Sequence, residues 1–188
     1  MKNISPKLVW SLAIILCLNV VGCNQNTPTL KEKSMPQFLV ELIGMTAEDA
    51  NKVILQNGFV QSDGEYADSD STSNLKEFAI ECKNGLVEES WAFYDGVDNY
   101  KRTTLEWVDE IEKMGFEYYA KSSYFVGYDT PQNLSEVKKM LERSDIDYPE
   151  ASLRFNHKEK NLMMDIMGGL YGGVGALQIF AGVGLWDD

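Results

Sequence analysis

The dipeptide Asn84-Gly85 constrains this chain more than any other two residues. It stands between a run in which Phe78, Ile80 and Cys82 alternate with Ala79 and Glu81, and a second apolar run from Leu86 to Tyr94. Both central residues of a two-residue hairpin turn need positive φ, which Asn and Gly tolerate. An antiparallel hairpin follows. Counting outward from the turn sets Cys82 opposite Val87 and Phe78 opposite Trp91, and these four are expected to share the core face. Cys82 is therefore read as a small buried hydrophobe.

Helical periods flank the hairpin. Ser34 precedes Met35-Pro36 with Gln37 three residues on, a capping-box arrangement, and Phe38, Leu39, Leu42 and Ile43 share a side before Gly44. Thr46 caps a second helix, with Glu48 and Asp49 at its positive end, and Gly58 stops it ahead of a strand at Phe59-Val60. Residues 61–74 are polar and read as a loop. A third helix is expected from about Thr103, with Leu105, Val108, Ile111 and Met114 on one side. A fourth is expected from about Gln132, carrying Leu134, Val137, Met140 and Leu141. Two more hairpins are expected, Phe116–Lys121 with Tyr124–Tyr128, and Ala151–Asn156 with Asn161–Ile166. The links are too short and the hairpins too frequent for a parallel sheet. The fold class is therefore α+β: an antiparallel sheet built from helix-plus-hairpin units, with helices packed on one face.

The start of the chain bears on compartment. Lys2 and Lys7 precede an apolar stretch from Leu8 to Val21, which ends at Gly22-Cys23. A positive start, an apolar middle and a small residue before the cut are the parts of an export signal. With cysteine next, the segment resembles the lipobox of bacterial lipoproteins, in which that cysteine is diacylated and becomes the new N-terminus. The resemblance implies a signal peptide at 1–22, lipid on Cys23, a polar tether at 23–34 and a folded domain at 35–188. It implies membrane attachment through the lipid and a place in the cell envelope, with Asn24 favouring the outer membrane where a cell has one. The competing reading is an uncleaved helix, for which the apolar run is short against the roughly 20 residues a bilayer needs.

Removing two lysines and no acid would take the formal charge from −12 to −14. That acidity argues against nucleic acid, whose phosphates need Lys and Arg, and suits a basic protein partner. Of three cysteines, Cys17 would leave with the signal and Cys23 would carry lipid, so Cys82 would have no partner for an internal disulfide.

A second resemblance lies at Ile43-Gly44-Met45-Thr46, followed by Glu48, Ala50, Leu55, Gly58 and Phe59. It resembles the opening of a PASTA module, the small domain of cell-wall-sensing kinases and penicillin-binding proteins. A similar Gly-Met-Thr start opens helices of small outer-membrane-assembly lipoproteins. The whole arrangement is similar to helix-and-sheet lipoproteins with a β-lactamase-inhibitor-protein-like fold. The motif covers about 17 residues, and non-catalytic binding is what these families share. Residues 61–74 depart from a compact PASTA unit.

Catalytic groups are few. The single histidine, His157, sits in the charged stretch His157-Lys158-Glu159-Lys160, read as a solvated turn, and no Gly-x-Ser-x-Gly elbow occurs. Asp68, Asp70, Thr72 and Asn74 alternate as a calcium loop begins, but Ser73 and Ala79 stand where an EF-hand needs Gly and Glu. A solvated loop competes with that metal reading, and no cofactor is expected. Tyr118, Tyr119, Tyr124, Phe125 and Tyr128 crowd one hairpin; alternation sends some of them outward as candidate binding anchors, and the competing reading is a sheet packed on both sides.

Met167 to Trp186 carries no charge and seven glycines. Gly168, Gly172 and Ala176 have the small-xxx-small spacing of packed membrane helices. Leu177, Ile179, Ala181, Val183 and Leu185 instead alternate as a strand does. The expectation is a glycine-rich connection at 167–175 and a last strand at about 176–186, with a membrane segment as the competing reading. The sequence thus points to a lipid-anchored, non-catalytic protein that binds a protein or envelope component through its sheet. An inhibitor or immunity protein against a basic enzyme or toxin is the alternative, and a hydrolase a third reading.

Overall fold

The hairpin forms where Asn-Gly demands it. Asn84 and Gly85 take φ of 55° and 81° between β3 (Leu75–Lys83) and β4 (Leu86–Asp95). The computed structural model describes residues 33–62, 65–68, 73–145, 147, 150–171 and 173–186. Cys23 and the tether up to Glu32 lie outside the described residues.

The remaining strands are β1 (Phe59–Ser62), β2 (Glu65–Asp68), β5 (Glu117–Tyr118), β6 (Tyr124–Phe125), β7 (Ala151–His157), β8 (Leu162–Tyr171) and β9 (Val174–Val183). They make one nine-stranded antiparallel sheet ordered β1-β2-β3-β4-β9-β8-β7-β5, with β6 also on β7. Two meanders, β1 to β4 and β7 to β9, join where β9 pairs with β4. The helices are α1 (Met35–Leu42), α2 (Ala47–Gln56), α3 (Tyr100–Lys113) and α4 (Leu134–Glu142). The fold class is α+β, as the period-2 and period-3.6 segments require.

Local chemistry sets the helix ends. The Ser34 N–H donates to Gln37 Oε1 at 3.4 Å, Thr46 Oγ1 accepts from the Asp49 N–H at 3.2 Å, and Asn133 Oδ1 from the Glu136 N–H at 3.1 Å. α1 lies over the seam between the meanders, touching both β4 and β9. The buried Ser90 hydroxyl of β4 donates to the Leu39 carbonyl at 3.1 Å. Phe38 stacks on Phe59 at 5.9 Å and meets Phe78 at 5.6 Å, so α1 and the first meander share one aromatic nucleus. On the other side of α1, Trp107 of α3 packs on Tyr94 at 5.4 Å.

Several expectations change. A bulge between Glu81 and Cys82 shifts the hairpin by one residue, so Phe78 pairs with Ala92, and Trp91 pairs with Ala79 on the opposite face. Cys82 does pair with Val87, but it is exposed. The α1–α2 turn closes over the Val87 end of the hairpin, with the Gly44 N–H donating to the Val87 carbonyl at 2.9 Å, the Val87 N–H to the Met45 carbonyl at 2.9 Å and the Ala47 N–H to the Gly85 carbonyl at 3.3 Å. Within 61–74, residues 65–68 form a strand, because Tyr66 buries its ring edge-on to Phe78 at 6.0 Å. The helix expected from Thr103 starts at Tyr100. The segments around Tyr118 and Tyr124 do not pair with each other; both pair with β7.

The glycine-rich end belongs to the sheet. β8 runs on through Gly168 and Gly169 to Tyr171, and β9 starts at Val174, so the connection is shorter than 167–175. Leu177, Ile179 and Ala181 are buried toward the helices. No helix among the described residues is long and apolar enough to cross a membrane.

Candidate functional site: the open face of the sheet

Register assigns every sheet residue to a side. Phe78, Ser90, Ala92, Ile179, Ile166 and Leu153 point to the helices. Their neighbours point away, in rows that cross the strands. One row runs Ala79, Trp91, Phe180, Asp165, Arg154. The next runs Glu77, Phe93, Gln178, Met167, Ser152, Tyr124. A third runs Glu81, Glu89, Gly182, Met163, Asn156, Glu117. Trp91, Phe93, Phe180, Met163 and Met167 are half-buried, and the contacts of the helices with β4, Leu39 with Ser90 and Trp107 with Tyr94, fall on the other face. A shallow depression of about 300 Å³ opens among Phe93, Met167, Ala176 and Gln178.

Glycine permits the arrangement. A Cβ at Gly182 would come within 2.7 Å of the Phe180 ring and 3.3 Å of the Met163 methyl, so the ring lies over the glycine. Gly182 faces Glu89 across the strands, and the aromatic surface thus reaches the carboxylates of the hairpin.

The β7 side of the face is polar and closed. Asp165 is 6% exposed. Its carboxylate accepts from the Ser152 hydroxyl at 2.9 Å and from Arg154 Nε at 3.4 Å. Burial pushes its pKa above the ordinary range, while Ser152 and Arg154 pull it back. Arg154 also lies over the Trp186 ring, 4.3 Å from its centroid. Trp186 is pinned by three hydrogen bonds: its N–H to Asn156 Oδ1 at 2.8 Å, its carbonyl from Asn156 Nδ2 at 3.2 Å, and its Nε1–H to the Met164 carbonyl at 3.0 Å.

His157 is not in a solvated turn. It ends β7, only 8% exposed, edge-on to Phe116 at 5.2 Å. It also points to the helix side, whereas Ser152 and Asp165 point to the open side. The sheet therefore separates the histidine from the buried Ser152–Asp165 pair.

The tyrosine cluster is divided. Phe125 is buried, and Tyr118 packs on Phe155 at 5.8 Å while its hydroxyl donates to the Pro131 carbonyl at 3.1 Å. Burial raises the Tyr118 pKa. Tyr124 lies on the open side, with its hydroxyl bonded to Glu150. Tyr119 is half-buried, and Tyr128 is exposed beyond the sheet. Of the calcium candidates, Asp70 and Thr72 lie outside the described residues. Asp68 sits at the end of β2 opposite Phe59, and the Asn74 carbonyl accepts from the Asp95 N–H at 2.9 Å. No group of three or more His, Cys, Asp or Glu is placed for a metal among the described residues.

The open-face residues missed by sequence reasoning are Trp91, Phe93, Met163, Met167, Phe180 and Trp186. A signal was present in β4: small Ser90 and Ala92 alternate with large Trp91 and Phe93, so the side chains facing the helices are the small ones. Comparison with family models, with curated proteins and with solved structures gives no significant match.

Proposed function

We propose that this protein is a lipid-anchored component of the bacterial envelope that works by binding, and that a partner protein docks on the open face of the sheet. The supporting observation is the continuous surface of Trp91, Phe93, Phe180, Met163 and Met167, on the side of the sheet away from the packed helices. Aromatic residues and Met are enriched at protein interfaces, and Trp is prominent among residues that dominate binding energy. A contiguous apolar patch on a folded domain marks an interaction site. The export signal and lipobox resemblance supply the anchor at Cys23.

An inhibitor or immunity protein is the second reading, favoured by the carboxylates Glu77, Glu81, Glu89 and Asp95 beside the aromatic surface and by the net charge of −12. The test uses the full chain, tagged and expressed in its own cells. Trp91→Ala with Phe180→Ala is expected to lose the partner captured by the native chain while circular dichroism stays unchanged. An identical captured set from a folded double variant would sink the docking face.

A further inference from the structure

Trp186 is held more closely than a chain end requires. Terminal residues are poorly ordered unless they are tied down. β9 ends at Val183, and the Gly184 N–H adds one bond, to the Asn161 carbonyl at 2.8 Å. Gly184 then turns with φ of 118°, a value that glycine accepts. From there the chain crosses β8 to reach β7, where Trp186 meets Arg154 and Asn156 on the open side of the sheet.

The contacts at this point are those of peptide recognition. Asn156 is 6% exposed, and its amide offers both an acceptor and donors. The oxygen takes the Trp186 N–H at 2.8 Å, and the nitrogen donates to the Trp186 carbonyl at 3.2 Å. One buried side chain thus does for Trp186 what a directly paired residue does in an antiparallel ladder. The indole N–H donates to the Met164 carbonyl, and the ring lies against the Arg154 guanidinium, which Asp165 holds through Nε. Reading the main chain by hydrogen bonds and the side chain by a fitted position is how extended peptides are bound. None of these contacts uses the covalent link to β9, and only Leu185 stands between Gly184 and Trp186. Beside the ring a depression of about 350 Å³, bordered by Tyr119, Ala120 and Leu185, leaves room for a chain to continue.

We propose that this corner of the sheet is a binding site for a tryptophan within an extended peptide, and that Trp186 fills it in the free protein as a removable latch. Asn156, Arg154 and the Met164 carbonyl make the site, and Asp165 positions Arg154. The tail has the advantage of effective concentration, so the site stays closed until the tail opens. The site lies on β7 and β8, whereas Trp91 and Phe93 lie on β4. It does not rest on the docking role proposed for those two rings.

The test uses the full chain and a defined probe, N-acetyl-tryptophanamide, which carries the same N–H, carbonyl and indole. Trp186→Pro removes the ring and the main-chain donor together and vacates the site. This variant should keep the native circular dichroism and bind the probe with a Kd of about 1 mM or tighter by chemical-shift titration. The phenylalanine analogue, which has no indole N–H, should bind about fivefold more weakly. Adding Asn156→Ala should abolish binding. In the native chain the Trp186 indole N–H, identified as the signal that Trp186→Pro lacks, should be at least about tenfold less protected from hydrogen exchange than the β8 amides. Its exchange should also ignore low urea, the mark of local opening. No saturation by about 10 mM probe overturns the site, and so does equal affinity for the two analogues or binding that survives Asn156→Ala. An unfolded Trp186→Pro, or an indole that exchanges only with global unfolding, overturns the latch. Each of these outcomes leaves the docking face on β4 and β9 untouched.

Discussion

Two residues carry tension that can be measured. Asp165 is buried with a raised pKa, so between its unfolded and folded values the native state binds more protons than the unfolded chain. Its contribution to stability is therefore full below the unfolded value of about 3.9 and falls as pH rises through the folded value. Asp165→Asn is expected to gain on the native protein in urea unfolding as the pH rises above about 4. A native-minus-variant difference that stays flat with pH would contradict this. Gly175 is tight in another way: a Cβ would lie 2.2 Å from the Val97 carbonyl and 3.1 Å from the Tyr100 Cβ. Gly175→Ala should cost about 2–3 kcal/mol by overpacking against backbone, more than Gly182→Ala, whose Cβ meets only the end of the Phe180 ring and the Met163 methyl. Paired urea denaturation of the two variants checks that order. Sequence could not place these residues. His157 looked solvated because its sequence neighbours are charged; Phe116, 41 positions away, buries it.

Among elements, what was legible was local. The cap at Thr46 and the Asn84-Gly85 turn each act within four residues, and each stands where the sequence puts it. Illegible were the bulge at Glu81/Cys82, which leaves Phe78 on the helix side and turns Trp91 to the other face, and the choice of β5 and β6 to pair with β7. Alternation cannot fix a register when both faces of a strand are apolar. Strands β4, β8 and β9 are of that kind, which is why the open face went unseen. β9 holds two strands together: it pairs with β4 over seven residues and with β8 over its whole length. Deleting 176–188 is therefore expected to abolish cooperative unfolding of the chain made without residues 1–22. A sharp native-like urea transition in that truncation would refute the central role of β9.

At the scale of the molecule, one sheet divides the labour. The helix side carries the buried nucleus of Phe38, Phe59 and Phe78, and the other side is the one proposed for recognition. The anchor proposed at Cys23 would hold that second side at a membrane surface. Cys23→Ser is expected to abolish incorporation of labelled fatty acid and to release the protein from the membrane fraction; unchanged labelling would refute the lipobox. The position of β9 has one more consequence, in time rather than in space. All the other described strands precede it in the chain, yet it takes a middle place in the sheet. A chain emerging N-terminus first from a ribosome or a secretion pore has its two meanders unjoined until β9 arrives. Until then Trp91 has no Phe180 beside it, and Glu89 has no Gly182. The proposed recognition surface and the joined sheet would come into being together, so a partner that engaged this face would also read that β9 had been made.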